Sequence, residues 1–362
     1  MAARAREGLN AMPARRHQAT MLAGNRLHLN EGPIDLVIWA DGAPEAVTAA
    51  YRAAERRFDG LLAELVAELA LLRRPLGDDA EAHIVPGVSP THAAGALLSS
   101  RNCAKRNIRD PGPRAHSRPL GPGSPLRSGR DDKQGGQLEL KGPIARRMAQ
   151  ACWPYRAQFI TPMAAVAGAV AEAVLGSMMA ATTPTAPLKR AYVNDGGDIA
   201  LHLAPGASLA IGVVRSLEKA VPEGEVRIDW NSPVRGIATS GWRGRSFSLG
   251  IADAVTVLAR DAPSADAAAT IIANAVNIDD PAVVRRPARA LDPDSDLGDR
   301  PVTVEVGVLG GAQIEAALTA GVAMAEHLRS AGLIEGALLA LAGEWRSVGA
   351  PVVARVADSS RV

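Results

Sequence analysis

Between Pro86 and Pro143, 17 of 58 residues are Gly or Pro, and the apolar residues among them show almost no helical or strand period. Such a stretch cannot bury enough apolar surface to offset the entropy of ordering it. Any compact domain must therefore be assembled from two pieces of chain, 26–76 and 142–362. Residues 77–141 read as a disordered insertion, tolerated because lengthening a surface loop costs little. Residues 1–25 read as a flexible tail.

The charge follows the same division. From Arg101 to Arg147 there are 12 Lys and Arg against 4 Asp and Glu, so this stretch carries +8 and the rest of the chain −6. The basic stretch suggests an electrostatic arm, but it has no aromatic residue to stack on a base, which argues against specific binding of nucleic acid. Aromatics make up 3% of the whole chain, so the core has to be built from small aliphatic side chains. Two cysteines, Cys103 and Cys152, give neither a disulfide framework nor zinc-ligand spacing. The expected compartment is the reducing cytoplasm.

Met1–Arg26 carries five Arg without an apolar run of about 7–15 residues, which is a poor secretory signal. Met163–Ala181 is apolar apart from Glu172 and Ser177. Ala and Gly dominate it, so it reads as a buried small-residue helix and no membrane association is expected.

Periodicity supplies the remaining elements. Arg26–Trp39 reads as two strands around a Gly-Pro turn. The apolar spacing from Pro44 to Leu72 predicts one amphipathic helix. Helices are expected at Ile144–Trp153, Phe159–Leu175, Ser264–Val276 and Ala312–Ala331. Strands are expected within Ala191–Leu203 and at Leu209–Val214, Val234–Thr239, Ser246–Ile251, Ala254–Leu258, Val302–Val308 and Ala337–Trp345. Helices alternate irregularly with hairpins, which fits α+β better than a doubly wound parallel sheet.

No nucleotide fingerprint and no Gly-X-Ser-X-Gly occurs, but four segments stand out. Asn194-Asp195-Gly196-Gly197-Asp198 is either a plain hairpin turn or a place where backbone and Asp198 approach a ligand. Ala238-Thr239-Ser240-Gly241, followed by Trp242, Arg243 and Arg245, is either a solvated loop or a set of N–H groups and guanidinium groups for a phosphate. In Ser264–Thr270, Ser264 reads as an N-cap, and Asp266 and Thr270 lie one turn apart on one helix face. They either complement the helix dipole or offer oxygens to Mg²⁺. Asp292–Asp299 begins like a calcium loop, yet Leu297 and Thr303 stand where an EF-hand needs Gly and Glu, so that reading is rejected. A polar loop or a second carboxylate cluster remains.

Taken in order, the first three segments resemble the ApbE-like superfamily, whose named activity is Mg-dependent FAD:protein FMN transfer. The resemblance covers Ile144–Thr270, and more loosely Leu27–Leu72 and the C-terminal third. TSGWRGRSFSLGIADAVTV and LDPDSDLGDR are most similar to an uncharacterised prokaryotic branch of that superfamily. The resemblance implies an ApbE-like, T-fold-like extended sheet flanked by helices. It implies Asp266 and Thr270 as Mg²⁺ ligands with the backbone carbonyl of Ala164. Asn194, Gly196, Gly197 and Asp198 match its flavin-nucleotide turn, and Thr239, Ser240 and Gly241 a second wall, with Arg243 or Arg245 to neutralise phosphate. The family's lysine falls at Ala167 and its histidine at Gly250, while Gly168 and the acid Glu172 are kept. Losing a cation and an imidazole removes groups that hold pyrophosphate or move protons.

The expected function is thus an Mg²⁺-dependent site for FAD, FMN or a related nucleotide, transferring or hydrolysing a phosphorylated flavin-type substrate. Its alternatives are a non-catalytic flavin- or nucleotide-binding protein and, in another class, a scaffold binding polyanions through 77–141. The expected partner is a small-molecule nucleotide or flavin, and a homo-oligomer is compatible with the sequence.

Overall fold

Alternation in the first strands sets the two faces of a sheet. The computed structural model describes residues 17–77, 139–213, 224–349 and 353–354. Most of the Gly/Pro-rich segment and residues 1–16 lie outside the described residues. A meander opens the described chain, with β1 (Gln18–Leu22), β2 (Arg26–Glu31) and β3 (Ile34–Gly42) paired antiparallel. Leu27, Leu29, Ile34, Leu36, Ile38 and Ala40 point to one side and are buried, whereas Asp35, Trp39 and Asp41 face the other. The sheet continues through β4 (Leu188–Asp195) and β5 (Asp198–Leu203). The strands β6 (Ser208–Val213) and β7 (Gly224–Asp229) leave it to form a separate small sheet. It resumes with β8 (Gly236–Ser240) and β9 (Ala254–Ala259). A two-stranded ribbon, β10 (Val283–Pro287) with β11 (Pro301–Val306), precedes the closing hairpin β12 (Gly336–Leu341) and β13 (Glu344–Gly349). The order is β1-β2-β3-β4-β5-β8-β9-β12-β13, antiparallel throughout, and β14 (Val353–Ala354) joins β7 and β6 in the small sheet.

One seam is short. Between β5 and β8 only Ile199 with Ile237 and Ala200 with Gly236 stand in register, and the Leu201 N–H donates to the Arg235 carbonyl at 2.9 Å.

The helices α1 (Pro44–Phe58), α2 (Leu61–Ala67), α3 (Leu69–Leu72), α4 (Pro143–Cys152), α5 (Val166–Ala180), α6 (Ala262–Ala275), α7 (Ala288–Leu291) and α8 (Gly311–Ser330) complete the described chain. Both α5 and α6 pack on the sheet and on each other, with α1 beside α5 and α8 beside α6. This face holds the main core, including Phe58, Leu36, Ile38, Met148, Met178 and Ile272. Each such large apolar side chain contributes about 1.5–3 kcal/mol on burial. In α6 the side chains of Ala265, Ala267, Ala268, Ala269 and Ala273 are buried, which lets neighbours close in on several sides of the helix. The other face carries a smaller cluster of Leu201, Leu203, Ile237, Leu258 and Leu338 against Leu209, Val226 and Ile228 of the small sheet. The architecture is α+β, with one large antiparallel sheet.

Several expectations are corrected. Gln18–Leu22, assigned to the tail, is strand β1. The single helix over Pro44–Leu72 is three, interrupted at Asp59-Gly60 and again at Glu68. The helix expected from Phe159 starts at Val166 after a 3₁₀ turn, Pro162–Ala165, and runs on to Ala180. The stretch 162–180 is long and apolar enough by length and composition to cross a membrane, but α5 packs here as a core helix through Ala169, Val170, Ala171, Val174 and Met178. Ser246–Ile251 is not a strand. The Asn274 side chain takes the Leu249 N–H at 2.9 Å, and the Ile251 N–H bonds to Val276 beyond the end of α6. Ala337–Trp345 is a hairpin that turns at Ala342-Gly343.

Candidate functional site

The β4–β5 turn is built by its two central glycines, Gly196 (φ 63°) and Gly197 (φ 115°), both in the left-handed region that a tight two-residue hairpin demands. The Asn194 Oδ1 accepts the Gly197 N–H at 2.8 Å, so this side chain fastens the turn. Alternation along β4 carries Ala191, Val193 and then Asp195 to the helix side, where Asp195 is 4% exposed. Asp198 opens β5 directly opposite Asp195.

From across the short seam, the Thr239 N–H donates to Asp198 Oδ1 at 3.1 Å, and the Thr239 and Thr256 hydroxyls meet at 2.9 Å. Ser240 ends β8, and Gly241 is pressed against the Asp253 carbonyl. From above, α6 brings Asp266, whose Oδ2 accepts the Gly168 N–H at 3.0 Å in the first turn of α5. Thr270 follows one turn along α6, half-buried. Ala164 lies in the 3₁₀ turn just before α5, its N–H bonded to the Thr161 carbonyl at 3.1 Å.

Three buried carboxylates thus lie near enough to repel one another, with little to neutralise them. Burial pushes Asp195 up to about 7, against the weaker pull of the Asp35 N–H and Arg245. Burial, then repulsion from Asp266, holds Asp198 well above the usual carboxylate range despite the Thr239 N–H. Asp266 is pushed to about 7, first by burial and further by Asp195, while the N–H groups of Gly168 and Ala167 oppose the shift. Burial disfavours the ionised form, and each neighbouring negative charge adds to that cost.

The oxygens nominated for a metal are all hard: the Asp266 carboxylate and the Thr270 hydroxyl on α6, and the Ala164 carbonyl in the 3₁₀ turn before α5. Among the described residues no three His, Cys, Asp or Glu side chains converge as a complete metal cage. Zinc and calcium take more ligands from a protein than these few oxygens offer, whereas Mg²⁺ keeps several waters and takes few.

The two arginines of the loop differ. Arg243 pairs with Asp253 at 3.1 Å and lies over the Trp242 ring at 4.4 Å, so it is drawn away from the carboxylates. Arg245 instead lies over Gly196, where a Cβ would fall on its guanidinium, 3.9 Å from Asp195. Ser264 does not cap α6 as expected. Asp261 does, accepting the Ser264 N–H at 2.9 Å, and Arg147 holds Asp261 at 2.6 Å and Glu172 at 2.8 Å. Asp296 of the acidic loop accepts from Thr161, and Arg300 covers the Phe159 ring at 3.2 Å, so this loop lies beside the Ala164 turn. At Gly250 a Cβ would strike the Ala273 carbonyl of α6, so this backbone has no room for a larger side chain.

Asp195 is the site residue that sequence reasoning passed over, although the alternation of β4 points to it. Arg147 is another, and nothing local in the sequence reveals its two partners.

The family model described as "AbpE bacteria" matches residues 18–101 and 129–347. The UPF0280 protein of Methanopyrus kandleri is 35% identical over 178 residues, covering 48% of this chain and 68% of the relative. The UPF0280 protein of Archaeoglobus fulgidus is 38% identical over 139 residues, 37% of this chain and 51% of that protein. That of Methanothrix thermoacetophila is 35% identical over 138 residues, 38% and 54% respectively. The chain thus spans about half the length of the last two relatives. Matching most of the length, and with the antiparallel sheet and the Asp198–Asp266 corner inside the matched residues, the chain belongs to the AbpE bacteria family and is related to the archaeal UPF0280 proteins.

Proposed function

We propose that this protein holds a phosphorylated flavin or nucleotide on Mg²⁺ at the corner between the β4–β5 turn, β8 and the starts of α5 and α6. The observation that carries the reading is the meeting of Asp198 and Asp266, each with one oxygen tied to a backbone N–H and each raised toward its neutral form by burial and a like charge. Such a pair gains most from a cation. Asp266, Thr270 and the Ala164 carbonyl would hold the metal. The turn of Asn194, Gly196, Gly197 and Asp198, with Thr239, Ser240 and Gly241, would form the walls. Bound Mg²⁺ would supply charge neutralisation at the phosphates. The likeness of these segments to ApbE-like FAD:protein FMN transferases supports FAD or FMN as the ligand and transfer or hydrolysis as the reaction.

A second reading, binding without catalysis, is favoured by two positions. Ala167 and Gly250 present no acid or base, and the Ala273 carbonyl bars a larger side chain from the second. Fluorimetric melting of the full chain with FAD, FMN and ADP, with and without Mg²⁺, tests the site. A midpoint raised only when nucleotide and Mg²⁺ are both present, and lost in Asp266→Ala, is the expected outcome. No response to any of the three overturns the proposal. AMP release from FAD with a flavinylated acceptor decides for transfer over mere binding.

A further inference from the structure

We propose that Arg245 is the phosphate-recognition residue of this site and that it exchanges Asp195 for the ligand's phosphate on binding. The inference rests on the reading of the site given above.

Placement and availability single out this side chain. Arg245 is the guanidinium set against the turn, close enough to act on both Asp195 and Asp198. The neighbouring guanidinium groups are engaged: Arg147 by Glu172 and Asp261, Arg243 by Asp253. The hold on Arg245 is loose. Its distance to Asp195 is 3.9 Å, beyond a hydrogen bond, its hydrogen bond among the described residues is a long one of 3.5 Å to the Pro33 carbonyl, and its side chain is 63% exposed. The guanidinium lies in solvent and makes no hydrogen bond to the buried Asp195 carboxylate, so its release breaks only a long contact.

The surroundings give it room. Residues 243–247 form an exposed loop tip, anchored on one side by the Trp242 N–H to the Ala252 carbonyl at 3.0 Å and on the other by the Ile251 N–H to Val276 at 2.9 Å. Gly196, without a side chain, leaves the space in which the guanidinium lies. A planar fork of N–H donors matches a phosphate as it matches a carboxylate, which is what the exchange requires.

Calorimetric titration of the full chain with FAD in the presence of Mg²⁺ tests this, with riboflavin as the phosphate-free ligand. Arg245→Gln should weaken FAD about tenfold or more, the loss expected for one charge-assisted pair, and leave riboflavin unchanged. Arg245→Lys should recover part of the loss, and Arg260→Gln, whose arginine pairs with Glu335 on another edge, should bind like the wild type. Wild-type-like FAD binding by Arg245→Gln overturns the proposal while leaving the site's reading in place. An equal loss for riboflavin overturns it too, because Arg245 would then be structural. If the wild type shows no Mg²⁺-dependent binding of FAD, the reading of the site fails and the proposal with it.

Discussion

Two sets of carboxylates gather near the N-terminal half of α6, and they are treated in opposite ways. Glu172 and Asp261 share Arg147, with N–O distances of 2.8 and 2.6 Å, and tie α4, α5 and α6 together. Asp195, Asp198 and Asp266 have backbone N–H groups and the loosely placed Arg245. The first set is neutralised within the fold and reads as structure. The second has no close cation within the fold, and such a group is the candidate for the proposed binding site.

The largest break in this contrast is expected from Arg147→Ala, which strands two part-buried acids. Discounted for their partial exposure, the loss is about 2–3 kcal/mol, read as a lower urea midpoint. The opposite sign is expected at the other set. Asp198→Asn keeps an oxygen for the Thr239 N–H but removes a charge, and without divalent cations at pH 7.5 it should stabilise the protein by about 1–2 kcal/mol.

The pH dependence sharpens the same point. Asp195 has its carboxyl raised from 3.8 to about 7, so the folded state binds the proton more tightly than the unfolded one. Stability from this group is present below the unfolded value and is lost as the pH rises through 4 to 7. Melting curves from pH 4 to 8 should show that decline, a flatter profile in Asp195→Asn, and a larger gain from Mg²⁺ at pH 8 than at pH 5. The smallest effect is expected from Gly196→Ala. The left-handed φ and the displaced guanidinium together should cost about 1 kcal/mol in urea denaturation.

Much of this was legible in the chain. Alternation at Leu27 and Leu29 and the apolar runs after it located β2 to β5, and Asn-Asp-Gly-Gly-Asp announced the turn between β4 and β5. The pairing of Asp266 with Thr270 on one helical face follows from spacing alone. What could not be read is long-range. No local pattern says that Asp266 meets the Gly168 N–H, or that Arg243 turns to Asp253 while its neighbour two residues on lies over Gly196. Ser246–Ile251 has the alternation of a strand, but the Asn274 side chain and the carbonyl beyond α6 claim its backbone. Tertiary contacts override propensity there.

The narrow seam between β5 and β8 gives the site a mechanical role. Asp198 sits on one lip and takes the amide of Thr239 on the other, so its carboxylate is a rivet joining two halves of a sheet that share only two registered pairs. A ligand that recruits Asp198 therefore pulls on the joint, and one that completes its charge tightens it. With the proposed site filled, the amide hydrogen of Thr239 would act as a strain gauge, its exchange with solvent reporting at the backbone what happens at the carboxylate.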